Sequence, residues 1–236
     1  MFKLKGNNVK LIELISLKVL IVAAFFILSL FAFGFITRQV IYKNEKTFDT
    51  NISHFFAPFA THEVVQVMKF LTFFGTIQFL LPAYVIIVVY FFIKKQYRRC
   101  IDISIVAISS SVFMFGLKDF FHRERPELPI IRSFTYSFPS GHALCSFIFC
   151  SVLIYLIDDS GLRYLWKWLF SILLLLFSFT IGISRIILKM HYATDVIAGF
   201  CLGVVWVILS FWILKRVNYS NIFGKKKTPR DIDKLA

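Results

Sequence analysis

Acidic side chains are scarce in this chain. Its 236 residues hold 13 Asp and Glu against 27 Lys and Arg. No HExxH pattern occurs, and the carboxylates form no cluster of the kind a divalent cation needs. The four cysteines, Cys100, Cys145, Cys150 and Cys201, make no CxxC pair. A disulfide framework and a zinc site are therefore not expected, and the cysteines read as small packing residues. Glycine (10) and proline (6) are also few. With no Pro/Gly/Ser linker and no internal repeat, residues 1–236 read as a single domain.

What the chain has in excess is apolar surface. Hydrophobic residues make up 58% of it, with a mean hydropathy of +0.75. That is more than a soluble domain of this length needs, and it points to lipid as the solvent. A net charge of +14 would suggest nucleic acid as the partner of a soluble protein. Here the charges fall between long apolar runs, so nucleic acid is not expected. The charge reads instead as a determinant of topology and an attraction for anionic lipid, most plainly at Lys225, Lys226 and Lys227.

Six uncharged runs stand out: Val19–Thr37, Phe70–Ile93, Ile103–Leu117, Ala143–Ile157, Trp168–Ser184 and Val196–Leu214. The first follows Lys3, Lys5, Lys10 and Lys18, as in a signal peptide. It is long for one, however, and its small-x-small candidate, Ala32-Phe-Gly34, leads into more apolar residues. We read it as an anchor helix. The expected fold is all-α, a bundle of six transmembrane helices with an interfacial helical segment between the first two. Ile103–Leu117 and Ala143–Ile157 are short for a bilayer core about 30 Å thick. Either their polar ends enter the membrane or flanking residues extend them. With both termini cytoplasmic, seventeen Lys and Arg lie inside and ten outside, which favours that orientation in a cell (inner) membrane.

The segment Ile41–Lys69 carries Phe48, Ile52, Phe55, Phe56 and Phe59 and is broken at Pro58. It is expected to lie on the membrane, with Thr61 capping a following helix. His54 and His62 have no partner pattern and read as surface histidines.

Helix parity brings three polar clusters to one membrane face, the outer one under this orientation. The first, Lys118 to Pro126, gathers cations suited to phosphate, although interfacial snorkelling explains such residues too. The second, Pro139-Ser140-Gly141-His142, precedes an apolar helix. Small residues there leave backbone N–H groups free, and the helix dipole favours an anion. The third runs from Ser184-Arg185 to His191 and Asp195. If helical, His191 and Asp195 share a face, and the carboxylate can fix the imidazole tautomer. Together the clusters hold cations, donors, two histidines and a carboxylate, the inventory of phosphoryl transfer.

These residues resemble the signature of the type 2 phosphatidate phosphatases, which share a fold with vanadium haloperoxidases. The pattern K-x6-RP, PSGH, SR-x5-H-x3-D matches at Lys118, Arg125-Pro126, Pro139–His142, Ser184-Arg185, His191 and Asp195. The resemblance implies a catalytic core over residues 118–195. His191 would be the nucleophile that becomes a phosphohistidine, with Asp195 orienting it and His142 as acid and later base. Lys118, Arg125, Ser140, Gly141 and Arg185 would hold the phosphate. It implies no metal and no cofactor, the cations taking a metal's place. Arg123, Arg132, Lys189 and His122 lie outside the pattern and either read the rest of a headgroup, snorkel, or pair with Glu124 and Glu127. The implied partner is a membrane lipid phosphate, with no obligatory protein partner. Undecaprenyl pyrophosphate, phosphatidylglycerophosphate or phosphatidate are the leading substrates. Lipid A, and transfer to an alcohol acceptor, are the alternatives.

Overall fold

The computed structural model describes residues 17–127, 129–130 and 135–216. Lys3, Lys5, Lys10, Arg132 and the Lys225–Lys227 run lie outside the described residues, as does the Lys18 side chain. Helix α1 (Leu17–Thr37) continues through a π-helical turn (Arg38–Tyr42). Then come α2 (Thr47–Phe56), a 3-10 turn (Ala57–Phe59), α3 (His62–Phe73) and α4 (Ile77–Ile93). The rest of the described chain is α5 (Tyr97–Phe121), α6 (Gly141–Asp158), α7 (Tyr164–Ile187) and α8 (Ala193–Arg216).

Six segments are long and apolar enough to cross a membrane: Val19–Tyr42, His62–Ile93, Tyr97–Phe121, Gly141–Asp158, Tyr164–Ile187 and Ala193–Arg216. They match the six runs in the sequence, and the two short ones are extended by their flanks. Helix α5 has 25 residues, about 37 Å at 1.5 Å each. It takes in charged residues at its first turns because Arg98 and Asp102 pair across one turn at 3.8 Å. Helix α6 has 18 residues, about 27 Å.

Helix α6 is the centre of the bundle, packed on both α7 and α8, with α1 against α8, α3 against α7 and α4 against α5. Its Leu144, Ile148 and Val152 meet Ile103 and Val106 of α5 and Leu202 of α8. The outward residues of α1 are apolar and open, Leu28 at 70% and Phe31 at 72% exposure, as a lipid-facing helix requires. At the site end, α6 and α8 nearly touch backbones: a Cβ on Gly199 would lie 2.7 Å from the Ser140 carbonyl oxygen. The Ser140 N–H donates to the Asp195 carbonyl at 3.0 Å. Two of the sequence clusters are thereby locked together by main chain.

Between the first two spans, Pro58 falls in the 3-10 turn and the Thr61 hydroxyl accepts from the Val64 N–H, capping α3 as expected. His54 and His62 are exposed. Helix α2 does more than present phenylalanines to an interface. Its Asp49 is 3% exposed and accepts from the Thr194 N–H at 2.9 Å and the Thr194 hydroxyl at 2.7 Å. These bonds dock α2 over the first turn of α8.

Candidate active site

The α5 end, the α6 start and the α7–α8 corner converge, as helix parity requires. Lys118 sits one turn before the end of α5, Gly141 and His142 open α6, Arg185 lies in the last turn of α7, and His191 occupies the tight corner before α8. Lys118, Arg125, Gly141, His142, Arg185 and His191 all line one cavity of about 470 Å³. Ser140 and Asp195 do not. Ser140 is fully buried, and its hydroxyl accepts from the Ala143 N–H at 3.5 Å as a helix cap. Asp195 lies behind His191.

The His191 ring is oriented from both sides. Nδ1 is 3.4 Å from Asp195 Oδ2, and Nε2 is 3.4 Å from the Arg125 Nη1 donor. A guanidinium only donates, so this arrangement places the proton on Nδ1 and the lone pair on Nε2, toward the cavity. Burial above all, then the charges of Arg185, Lys118 and Arg125, holds His191 well below the usual histidine range. The ring is thus neutral, the form that an imidazole nucleophile or base requires.

Asp195 is held as firmly as it holds. Its Oδ2 also accepts from the Tyr192 N–H at 3.0 Å, and its Oδ1 accepts from Arg123 Nη1 at 2.5 Å. Arg123 Nη2 reaches Asp49 Oδ2 at 2.8 Å, and the guanidinium lies 4.2 Å over the Tyr192 ring. So Arg123 pairs neither with Glu124 nor with Glu127, both of which are exposed. It pairs with one carboxylate from α2 and one from α8. Lys189 is exposed, and His122 closes α5 in a left-handed conformation with its ring 4.6 Å from that of Tyr136.

Because Arg123 takes both nearby carboxylates, the other cations have none. Among the described residues no Asp or Glu pairs with Lys118, Arg125 or Arg185. Lys118 donates to the Tyr136 carbonyl at 2.5 Å. Arg125 donates to the carbonyls of Thr135 and Met190 at 2.7 and 2.6 Å and to the Thr135 hydroxyl at 3.0 Å. Arg185 Nη1 donates to the Thr72 hydroxyl at 2.7 Å. The segment after the first cluster is pinned for this purpose: Ser137 donates its N–H to the Arg123 carbonyl and its hydroxyl to the Glu124 carbonyl, both at 2.8 Å. Burial lowers the Arg125 guanidinium below its usual range, with Asp195 acting in the opposite sense. Buried His142 Nε2 and Arg185 Nε have no partner among the described residues. Three cations without counter-charge and two orphaned nitrogens facing one cavity are what a dianionic phosphate would satisfy.

Sequence reasoning did not find Asp49, Thr72, Gly75 or Thr194. Thr72 lies in the last turn of α3 and Gly75 in the turn between α3 and α4, where a Cβ on Gly75 would lie 2.9 Å from His142 Cδ2. None of these residues sits in a recognisable pattern, and only their docking shows their use.

Residues 100–219 match the PAP2 superfamily. The chain is 28% identical over 190 residues to phosphatidylglycerophosphatase B of Bacillus subtilis, covering 79% of this chain and 92% of that protein. A shorter stretch of 83 residues is 32% identical to the bacitracin transport permease protein BcrC of Bacillus licheniformis, covering 35% of this chain and 36% of that one. Among solved structures, the transmembrane PAP2-type phosphatidylglycerolphosphate phosphatase from Bacillus subtilis superposes with a TM-score of 0.71 at 25% identity, over 84% of this chain and 97% of that one. LpxE of Aquifex aeolicus shares the fold, with a TM-score of 0.56 at 21% identity over 69% and 94% of the two chains. With a family match that spans the three clusters and the helices carrying them, this six-span chain belongs to the PAP2 superfamily.

Proposed function

We propose that the protein is a lipid phosphate phosphatase acting through a phosphohistidine at His191, with a glycerophospholipid phosphate such as phosphatidylglycerophosphate as its substrate. The observation that carries this reading is the shape of the cavity. Its polar end holds Lys118, Arg125, Arg185, His142 and His191, and its other walls are the apolar flanks of α4 and α5. Leu81, Ile108, Val112 and Phe115 of those walls are themselves between 50% and 66% exposed. The cavity therefore opens sideways, toward the bilayer. A lipid keeps its tails in the membrane and presents its phosphate along this opening, whereas a soluble ester gains nothing from it.

The chemistry runs in two displacements. His191 Nε2 attacks phosphorus, the bond from phosphorus to the lipid oxygen breaks, and its electrons leave on that oxygen. His142 protonates the leaving oxygen. Water then attacks phosphorus while His142 takes its proton, the P–N bond breaks, and inorganic phosphate departs. Lys118, Arg125 and Arg185, with the Gly141 N–H at the start of α6, neutralise the equatorial oxygens. Asp195 keeps the proton on Nδ1 and stabilises the charged ring. The excess of cytoplasmic Lys and Arg supports an orientation with the site on the extracytoplasmic face.

The test is phosphate release by purified protein in detergent with EDTA present. The panel is phosphatidate, phosphatidylglycerophosphate, undecaprenyl pyrophosphate and lipid A, with His191→Ala as the control. Release that depends on His191 and is fastest on phosphatidylglycerophosphate is expected. No release from any lipid without an alcohol acceptor would overturn hydrolysis in favour of transfer.

A further inference from the structure

The two arginines that line the cavity are held in different ways. Arg125 has an acceptor for each of its five N–H groups: the Thr135, Met190 and Tyr136 carbonyls, the Thr135 hydroxyl and His191 Nε2. It brings charge to the site but no uncommitted edge. Arg185 makes one hydrogen bond among the described residues, from Nη1 to the Thr72 hydroxyl at 2.7 Å. Its Nε is buried and has no partner there, and Nη2 has none either. Arg185 is 4% exposed. Open donors on so buried a cation cost free energy unless a ligand takes them.

Thr72 decides which donors stay open. Nη1 lies on the Cδ side of the guanidinium. A bond there leaves the opposite edge, Nε with Nη2, whose N–H groups point the same way. Such an edge matches two oxygens of one phosphate. Because the group is planar, anchoring Nη1 also fixes the roll of that edge. Thr72 is placed to be the anchor and not a ligand contact: it is 5% exposed, lies in the last turn of α3, and does not line the cavity. Other buried helical hydroxyls donate to their own helix, Ser110 to the Ala107 carbonyl at 3.0 Å and Ser184 to the Ile181 carbonyl at 2.6 Å. The Thr72 hydroxyl makes no such bond among the described residues. The Thr72 carbonyl accepts from the Gly75 N–H at 3.0 Å. One turn thus carries both the anchor of Arg185 and the glycine packed against His142.

We propose that Thr72 is a positioning residue: it sets Arg185 so that Nε and Nη2 take two oxygens of the transferring phosphoryl group side by side. The inference rests on the lipid-phosphatase reading above. It divides the work of the two arginines, with Arg125 supplying charge from a closed set of bonds and Arg185 supplying the two-pronged grip.

The experiment uses full-length protein in one detergent and two readouts. The first is kcat/KM for phosphate release from phosphatidylglycerophosphate. The second is vanadate affinity, read from the rise in melting temperature, which needs no turnover. Thr72→Val keeps the shape and removes the hydroxyl. It should lower kcat/KM about tenfold and weaken vanadate by the same factor. Thr72→Ser, which keeps the hydroxyl, should hold both within about twofold of wild type. In an Arg185→Lys background there is no fork to aim, so adding Thr72→Val should change kcat/KM by less than about twofold. A loss of equal size in both backgrounds overturns the inference, since Thr72 would then act through the packing of α3. Equal losses in Thr72→Val and Thr72→Ser overturn it as well. Vanadate affinity unchanged by Thr72→Val overturns the Thr72 inference alone. No phosphate release by wild type overturns the lipid-phosphatase reading itself.

Discussion

Arg123 joins Asp49 to the carboxylate behind His191, with Nη2 at 2.8 Å from Asp49 and Nη1 at 2.5 Å from Asp195. The Arg123 side chain is 9% exposed and those of Asp49 and Asp195 are 2% and 0%. The pairs are thus shielded from water, and breaking one leaves a buried charge uncompensated, at a cost of about 3–5 kcal/mol. Arg123 does not line the phosphate cavity. It acts by holding Asp195, which holds the His191 ring.

Two substitutions separate the links of that chain. Asp195→Asn removes the charge and disturbs the tautomer directly, and kcat should fall by up to about 10⁴. Asp49→Asn keeps an acceptor for the Thr194 N–H but loosens Arg123, and kcat should fall about tenfold with KM within about twofold. The melting temperature should drop as well. Steady-state kinetics beside thermal unfolding in detergent makes the check. Unchanged kcat in Asp49→Asn would show that Arg123 holds Asp195 without help from α2.

Gly75 tests how tightly His142 is placed. A Cβ there would lie 2.8 Å from Ile181 Cγ2 and 2.9 Å from His142 Cδ2. Something must shift, and the imidazole is the freer neighbour because its Nε2 has no partner among the described residues. If His142 is the acid proposed above, a shift of a few tenths of an ångström costs rate more than binding. Gly75→Ala should therefore lower kcat by at least tenfold. Gly34→Ala, with nothing within 4 Å of the added carbon, should leave kinetics as they are. Equal kinetics in the two variants would mean that the α3–α4 turn yields instead of His142.

How far the sequence reaches into this site depends on the kind of signal each residue carries. Lys118, His142 and His191 are legible because an ionisable residue at the end of an apolar run has few other reasons to be there. The Thr61 cap is legible because it is local, set by the three residues that follow. The span ends are misjudged where charge is taken as the boundary. Arg98 and Asp102 pair across one turn within α5, and the helix begins six residues before the apolar run does. Asp49 and Thr72 are illegible for another reason. They act across about 145 and 113 residues of chain, through contacts that exist only once α2 and α3 have docked on α7 and α8. Arg123 illustrates the same limit, since Glu124 and Glu127 are its neighbours in sequence while its partners are Asp49 and Asp195.

The His191 ring should titrate below its ordinary value. Burial and three nearby cations disfavour its protonated form, so the folded state binds fewer protons than the unfolded chain as pH falls through about 6.5. The sign is therefore fixed: the His191 ring stays neutral somewhat below pH 6.5, while stability falls as pH drops from about 6.5 toward the ring's lowered folded value. Nitrogen-15 histidine spectra, with His191→Ala identifying the signal, should show a neutral ring at pH 6.5. A ring already half protonated there would mean that water and counter-ions screen the cations, and that Asp195 outweighs them.

Inhibition tests the claim that side chains supply the positive charge of this reaction. Lys118, Arg125 and Arg185 face the cavity without carboxylate partners among the described residues, so an anion entering it meets charge that is already in place. Phosphate release should then persist in EDTA. Vanadate should inhibit, since five-coordinate vanadium bonded to His191 Nε2 resembles the transition state for attack at phosphorus. Arg185→Ala should weaken vanadate inhibition and kcat/KM in parallel, because both species use the same equatorial contacts. Strong inhibition by EDTA that Mg²⁺ reverses would show that a metal ion shares the work. A variant that loses activity but keeps its vanadate sensitivity would place Arg185 on the substrate's ground state and not on the transferring group.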